Sequence, residues 1–245
     1  MSTATPELMW WLTGLRQEVK RTNTGFATLN PIGWPVPFFG DIRTARILTV
    51  GVNPSPDEFT HPRWADITND SQWAHRLLNY FHVPSVPWHK WFQPWETALR
   101  LLGCSYENRT AVHLDLSPRA TTVMRNIPEE LRPDFCHMVA GDVRWLYGLL
   151  AFAPSARLIL AAGGMIEPEP KKWLPVASCL EREAAQNGSQ IERVGGGSRL
   201  VASGGSGSLP LHSFTSGPAA QDKFKLIEDV FAAHDQLLPL LRWRL

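Results

Sequence analysis

Apolar positions in this chain fall into helical stripes and short continuous blocks, and the blocks organise the fold. Between Arg46 and Val52, the block Ile47, Leu48, Val50 and Val52 lacks the alternation of a half-exposed strand and stops at Gly51-Val-Asn-Pro-Ser-Pro56. That pattern predicts a parallel strand covered on both faces and ending in a tight loop. Similar blocks run through Thr110-Ala-Val-His-Leu-Asp-Leu-Ser-Pro118 and Ala156-Arg-Leu-Ile-Leu-Ala-Ala-Gly163, while a shorter one, Leu209-Pro-Leu, breaks into hydroxyls at His212. Helical spacing fills the intervals. Residues 6–21 carry Leu8, Trp11, Leu12, Leu15 and Val19 behind a Thr5 cap and Pro6. Residues 128–152 carry Leu131, Phe135, Val139, Val143, Leu146 and Leu150. Further helices are predicted over 71–81, 95–102, 170–186 and 219–238, the last with Phe224, Ile227, Phe231 and Leu237. Strands alternating with helices predict an α/β fold, three-layer α/β/α, around a central, mostly parallel four-stranded sheet in one domain spanning 1–245. Weaker signals at 190–194 and 199–202 read as short strands or an edge hairpin, and Pro- and Trp-rich stretches at 23–41 and 83–95 read as ordered loops.

Composition narrows the partners. The net charge is +1, so nucleic-acid contact has to come from a local patch rather than from the overall field. The three cysteines, Cys104, Cys136 and Cys179, are far apart and odd in number, which supports neither a disulfide framework nor a metal cluster and predicts a reducing, cytoplasmic setting. The eight histidines show no paired spacing with an acid, and no phosphate-binding G-x-x-x-x-G-K-[ST] occurs, so neither a metal nor another cofactor is expected. No segment has signal-peptide character or membrane-spanning length, which predicts a soluble protein without a membrane partner, most simply a monomer.

Ligands of open α/β sheets collect at the carboxyl ends of the parallel strands. Asn53, Asp115 and His212 stand at such ends if the sheet is parallel. Each also has an ordinary structural reading: Asn53 as a turn residue, Asp115 as a cap, His212 as a surface histidine, and His113 as a strand residue in the packing layer.

Taken in order, the stretches resemble the uracil-DNA glycosylase superfamily, nearest the single-strand-selective and mismatch-specific branches. Gly51-Val-Asn-Pro-Ser-Pro56 is similar to their Gly-x-Asn-Pro first motif, Asn30-Pro-Ile-Gly-Trp-Pro35 to the segment preceding it, and Val112-His-Leu-Asp-Leu-Ser-Pro118 to the central Val-His-Asn-Leu-x-Pro strand. His212 falls where the second motif is expected, with Ser213 and Phe214 in place of its usual Pro-Ser.

The resemblance implies a glycosylase that hydrolyses the N-glycosidic bond of uracil or a related damaged base in DNA, the first step of base excision repair. Asn53 would orient water, and His212 would donate to the departing base. Gly51, Val52, Pro54, Ser55, Phe59 and Asp115 would line the base pocket, with Phe59, Trp64 or an aromatic of 88–95 stacking on the base. Ser55, Ser213, Phe214, Thr215 and Ser216 would meet DNA. An amide orients water but is a poor base, so the enzyme would be slow. A catalytically inactive nucleic-acid binder and a hydrolase of free nucleosides or nucleotides are the alternatives. Asp115 stands where an asparagine would read uracil. It is held protonated, caps structure, or selects a base bearing an amino donor.

Overall fold

The computed structural model describes residues 2–60, 64, 67–83, 87–122, 126–167, 172–194, 197–201, 208–214 and 223–242. The first helix, α1 (Pro6–Thr22), starts on Thr5, whose side chain accepts from the Leu8 N–H. It buries Leu8, Leu12, Leu15 and Val19, the stripe that its spacing predicts. A two-residue strand, β1 (Phe38–Phe39), follows inside the Pro-rich loop, and β2 (Ile47–Gly51) is buried at every position. Next come α2 (Asp70–Leu78), capped by Asn69, and α3 (Phe92–Leu101). Then β3 (Ala111–Asp115), α4 (Arg132–Leu149) and β4 (Leu158–Ala162) complete two crossovers.

The segment predicted as one helix over 170–186 divides. A small antiparallel pair, β5 (Gly164–Glu167) and β6 (Lys172–Pro175), precedes α5 (Val176–Gln186). Pro175, extended at φ −60° and ψ 146°, stands as its N-cap and marks where helix begins. The chain continues through β7 (Gln190–Val194), β8 (Gly197–Val201) and β9 (Ser208–Phe214), then α6 (Lys223–Ala232) and α7 (His234–Arg242), which replace the single closing helix expected.

The main sheet has seven strands in the order β1-β3-β2-β4-β9-β8-β7. Its centre, β3-β2-β4-β9, is the expected set of four parallel strands. The sheet is wider than the four predicted, because Phe38 and Phe39 add antiparallel to β3 and the β7–β8 hairpin adds antiparallel to β9. Both additions cap parallel edges that would otherwise expose unpaired backbone groups.

The chain moves one way from β2 to β3 and the other way from β3 through β4 to β9. Right-handed crossovers therefore put α3 on one face and α4 and α5 on the other. The packing agrees: Phe92 of α3 meets the His113 ring at 5.5 Å, α6 lies against α3, and Trp11 of α1 meets Trp145 of α4 at 5.6 Å. No helix among the described residues is long and apolar enough to cross a membrane.

Candidate active site

The β2 and β3 chains stay laced together beyond their strands, with Leu116 N–H donating to Gly51 C=O at 3.1 Å and Ser117 N–H to Val52 C=O at 3.0 Å. This places Asn53 against residues 119–121. Its Nδ2 lies 3.1 Å from the Arg119 carbonyl, 3.0 Å from Thr121 Oγ1 and 3.3 Å from its neighbour's carbonyl at Pro54. The Thr121 hydroxyl donates onward to the Thr122 carbonyl, so toward Asn53 it is an acceptor. These acceptors fix which end of the amide is nitrogen. Asn53 Oδ1 accepts no hydrogen bond from the described residues, and it is the end left to meet a ligand.

The ledge under Asn53 is itself fastened by a buried ion pair. Arg119 meets the Asp142 carboxylate with two nitrogens, Nε to Oδ2 at 2.8 Å and Nη2 to Oδ1 at 3.1 Å. It also donates to the Val19 carbonyl, Asn23 and the Thr22 hydroxyl, while Ser117 Oγ donates to Asp142 at 2.7 Å. Arg119 and Asp142 side chains are 3% and 5% exposed. With the guanidinium's donors occupied, the pair ties α1, α4 and the Asn53 loop into one rigid unit.

On the other side of Gly51 lies a buried polar chain. Tyr106 OH is 2.6 Å from Thr49 Oγ1, and Thr49 Oγ1 is 2.8 Å from His113 Nδ1. His113 Nε2 in turn is 3.4 Å from Asp115 Oδ1. That last contact is within ion-pair reach but short of hydrogen-bond geometry, so Nε2 remains a buried polar atom without a hydrogen-bond partner. Burial raises the Tyr106 hydroxyl well above its ordinary pKa, which keeps it a donor. Phe39, Trp91 and Phe92 surround the His113 ring at 6.0, 4.8 and 5.5 Å. Asp115 is buried, and no described N–H donates to its carboxylate, so it is not a structural cap. A Cβ at Gly51 would stand 2.9 Å from Asp115 Oδ1 and 3.1 Å from His113 Nε2, so only glycine leaves both atoms where they are.

The remaining expected site residues are spread more widely. Pro54 is buried and Val52 half-buried, and Ser55 Oγ accepts from the Asp57 N–H at 3.3 Å in a local turn. Phe59 is half-buried, 5.8 Å from Trp64, and its ring lies on the backbone of Gly33, whose φ of +73° and lack of Cβ permit the approach. Trp64, packed between Phe59 and Tyr80, is buried, whereas Trp91 is half-buried and touches His113 directly.

His212 is a correction. The block does not break there: β9 runs two residues further, and His212 sits in the row of Leu160, Thr49 and His113. Its strand lies two spacings from β2, roughly 9–10 Å, and its row lies about four residues, roughly 13 Å of rise, behind Asn53. The fold therefore does not bring His212 to Asn53. Ser213 is a half-buried strand residue and Phe214 a core residue at 5% exposure, so Phe214 cannot serve as a DNA contact. The reason is that β9 pairs with β8 as far as His212 and with β4 two residues further, to Phe214, which extends it past the polar residues. Thr215 and Ser216 lie outside the described residues.

Burial lowers the His212 pKa below the ordinary histidine range. The unfolded chain then binds this proton first as pH falls below about 6.5, so stability is full above that pH and declines beneath it. His212→Gln is expected to lose less stability than the wild type between pH 7.5 and 5.5, read from urea midpoints.

The sequence reading missed Thr49, Tyr106, Arg119, Thr121 and Asp142, and took His113 only as a packing residue. Two of these had a signal. Thr49 interrupts an apolar block, and Asp142 falls inside the buried stripe Met138, Val139, Val143 and Leu146 of α4. No family model and no curated protein matches this chain.

Proposed function

We propose that this chain is a monofunctional DNA glycosylase that hydrolyses the N-glycosidic bond of uracil or a related damaged base. One observation carries the reading: the nitrogen of Asn53 is anchored on the Arg119 carbonyl and Thr121 hydroxyl, which presents its oxygen as a fixed acceptor at the carboxyl end of the sheet. A fixed acceptor can orient a water against a sugar carbon without taking its proton, which suits a bond that breaks largely before water adds.

Asp115 lies one strand away across Gly51, where it can address a base while Asn53 addresses the sugar. Reaching that arrangement from duplex DNA requires the nucleotide to be extruded, and half-buried Trp91 and Phe59 are the aromatic surfaces on which a flipped base can stack. A reducing, cytoplasmic setting and a monomer fit this reading. A binding protein without catalysis is the second reading, favoured by the place of His212 inside β9.

The test is incubation with single- and double-stranded oligonucleotides carrying uracil, hydroxymethyluracil, hypoxanthine or cytosine, alongside the free nucleosides, followed by alkali. Strand scission after alkali and none before it is the expected result. Turnover of nucleosides alone would make the protein a nucleoside hydrolase, and no base release at all would favour the binding protein.

A further inference from the structure

Resting on that glycosylase reading, we infer that His113 sets base specificity by directing an N–H at Asp115, so that the site selects a base whose edge presents two adjacent donors, the guanine-type N–H and NH2, over a uracil-type edge. The proton count along the buried chain leads there. Tyr106 OH has Thr49 Oγ1 as its partner at 2.6 Å, and a buried hydroxyl hydrogen needs an acceptor, so Tyr106 donates and Thr49 accepts. The single hydroxyl hydrogen of Thr49 then has two acceptors in reach, His113 Nδ1 at 2.8 Å and the Val112 carbonyl at 3.2 Å. Assigning it to the shorter contact makes Nδ1 an acceptor and places the ring hydrogen on Nε2, where it faces the Asp115 carboxylate instead of setting a lone pair against it. Nε2 faces Asp115 Oδ1 at 3.4 Å.

An N–H directed at Asp115 faces an acceptor oxygen of its carboxylate. Both Asp115 oxygens are then acceptors, and a base edge with two adjacent donors matches them, whereas the uracil edge sets a carbonyl against one of them. His113 is 1% exposed, and its Nε2 still lacks a hydrogen-bond partner. A small advance of Asp115 on binding such an edge completes that bond too.

The leaving-group chemistry points the same way. Uracil departs with its negative charge on the ring, which a neighbouring carboxylate opposes. A guanine-type base takes a proton from solvent at N7 as the C1′–N9 bond breaks and its electron pair passes to the ring. The base leaves neutral, while water bonds to C1′ and releases a proton to solvent. An acceptor on the N1 and N2 edge raises the basicity of N7 and so assists that departure.

Base release from oligonucleotides carrying guanine, uracil or hypoxanthine, compared between wild type, Asp115→Asn and His113→Phe, tests this. The wild type is expected to release a guanine-type base about tenfold or more faster than uracil. Asp115→Asn should reverse the preference toward uracil, and His113→Phe, which keeps a ring inside the aromatic surround, should flatten the ratio. The ratio is the readout, since a purely structural loss would slow both substrates alike. A wild type that prefers uracil, or ratios unmoved in both variants, would overturn the inference while leaving the glycosylase reading intact. No base release from any oligonucleotide by any form would instead overturn the glycosylase reading itself.

Discussion

Asn53→Ala is expected to lower single-turnover base release by a factor on the order of a hundred or more, with little change in melting temperature. Among the described residues the amide makes its hydrogen bonds only through nitrogen, to the Arg119 carbonyl, Thr121 and the Pro54 carbonyl. Arg119, Thr121 and Pro54 are buried, so acceptors left without this donor cost about 1 kcal/mol, a fall of only a few degrees. The functional loss is different in kind: the fixed oxygen disappears, and any water near the sugar becomes free to rotate. Thr121→Val removes one anchor while keeping the amide, so it should give an intermediate loss. Equal rates for Asn53→Ala and wild type would remove Asn53 from the chemistry.

The largest expected effect on stability belongs to Arg119→Leu. Removing the guanidinium leaves the Asp142 carboxylate buried with Ser117 as its remaining donor, and an uncompensated buried charge costs about 3–5 kcal/mol. For a domain of this length that corresponds to a fall in melting temperature of roughly 6–20 °C. The double variant Arg119→Leu with Asp142→Leu should recover much of the loss, because a buried pair replaced by apolar side chains is often nearly neutral. Thermal melts of the two single variants and the double variant check this, and a single variant as stable as the wild type would show that the pair is not the clamp described. The double variant should still release base more slowly than the wild type, since the ledge beneath Asn53 is no longer tied to α1 and α4.

The parallel core was legible because covered strands leave a distinctive block: Ile47–Val50 and Leu158–Ala162 are buried at every position, as their lack of alternation implies. The edges were harder to read. Phe38 and Phe39 form too short a strand to show a period, and only pairing with His113 and Leu114 makes them one. His212 misled for a related reason. Its polar neighbours suggest a strand end, but strand length is decided by pairing, and β4 carries β9 on to Phe214 after β8 stops at His212.

The site was legible only as far as its chemistry is local. Gly51, Asn53 and Asp115 stand on loops and strand ends that the sequence marks. Asp142 and Tyr106, which support them, meet their partners across 23 residues in one case and 57 in the other, and no spacing rule reaches that far.

The most direct test of the account is mass-spectrometric detection of free base after single-turnover incubation of the purified protein with the modified oligonucleotides, wild type beside Asn53→Ala. Free base and an intact abasic strand are expected from the wild type, and about a hundredfold or greater reduction from Asn53→Ala. Free base appearing at the same rate from both proteins, or from neither, would contradict it.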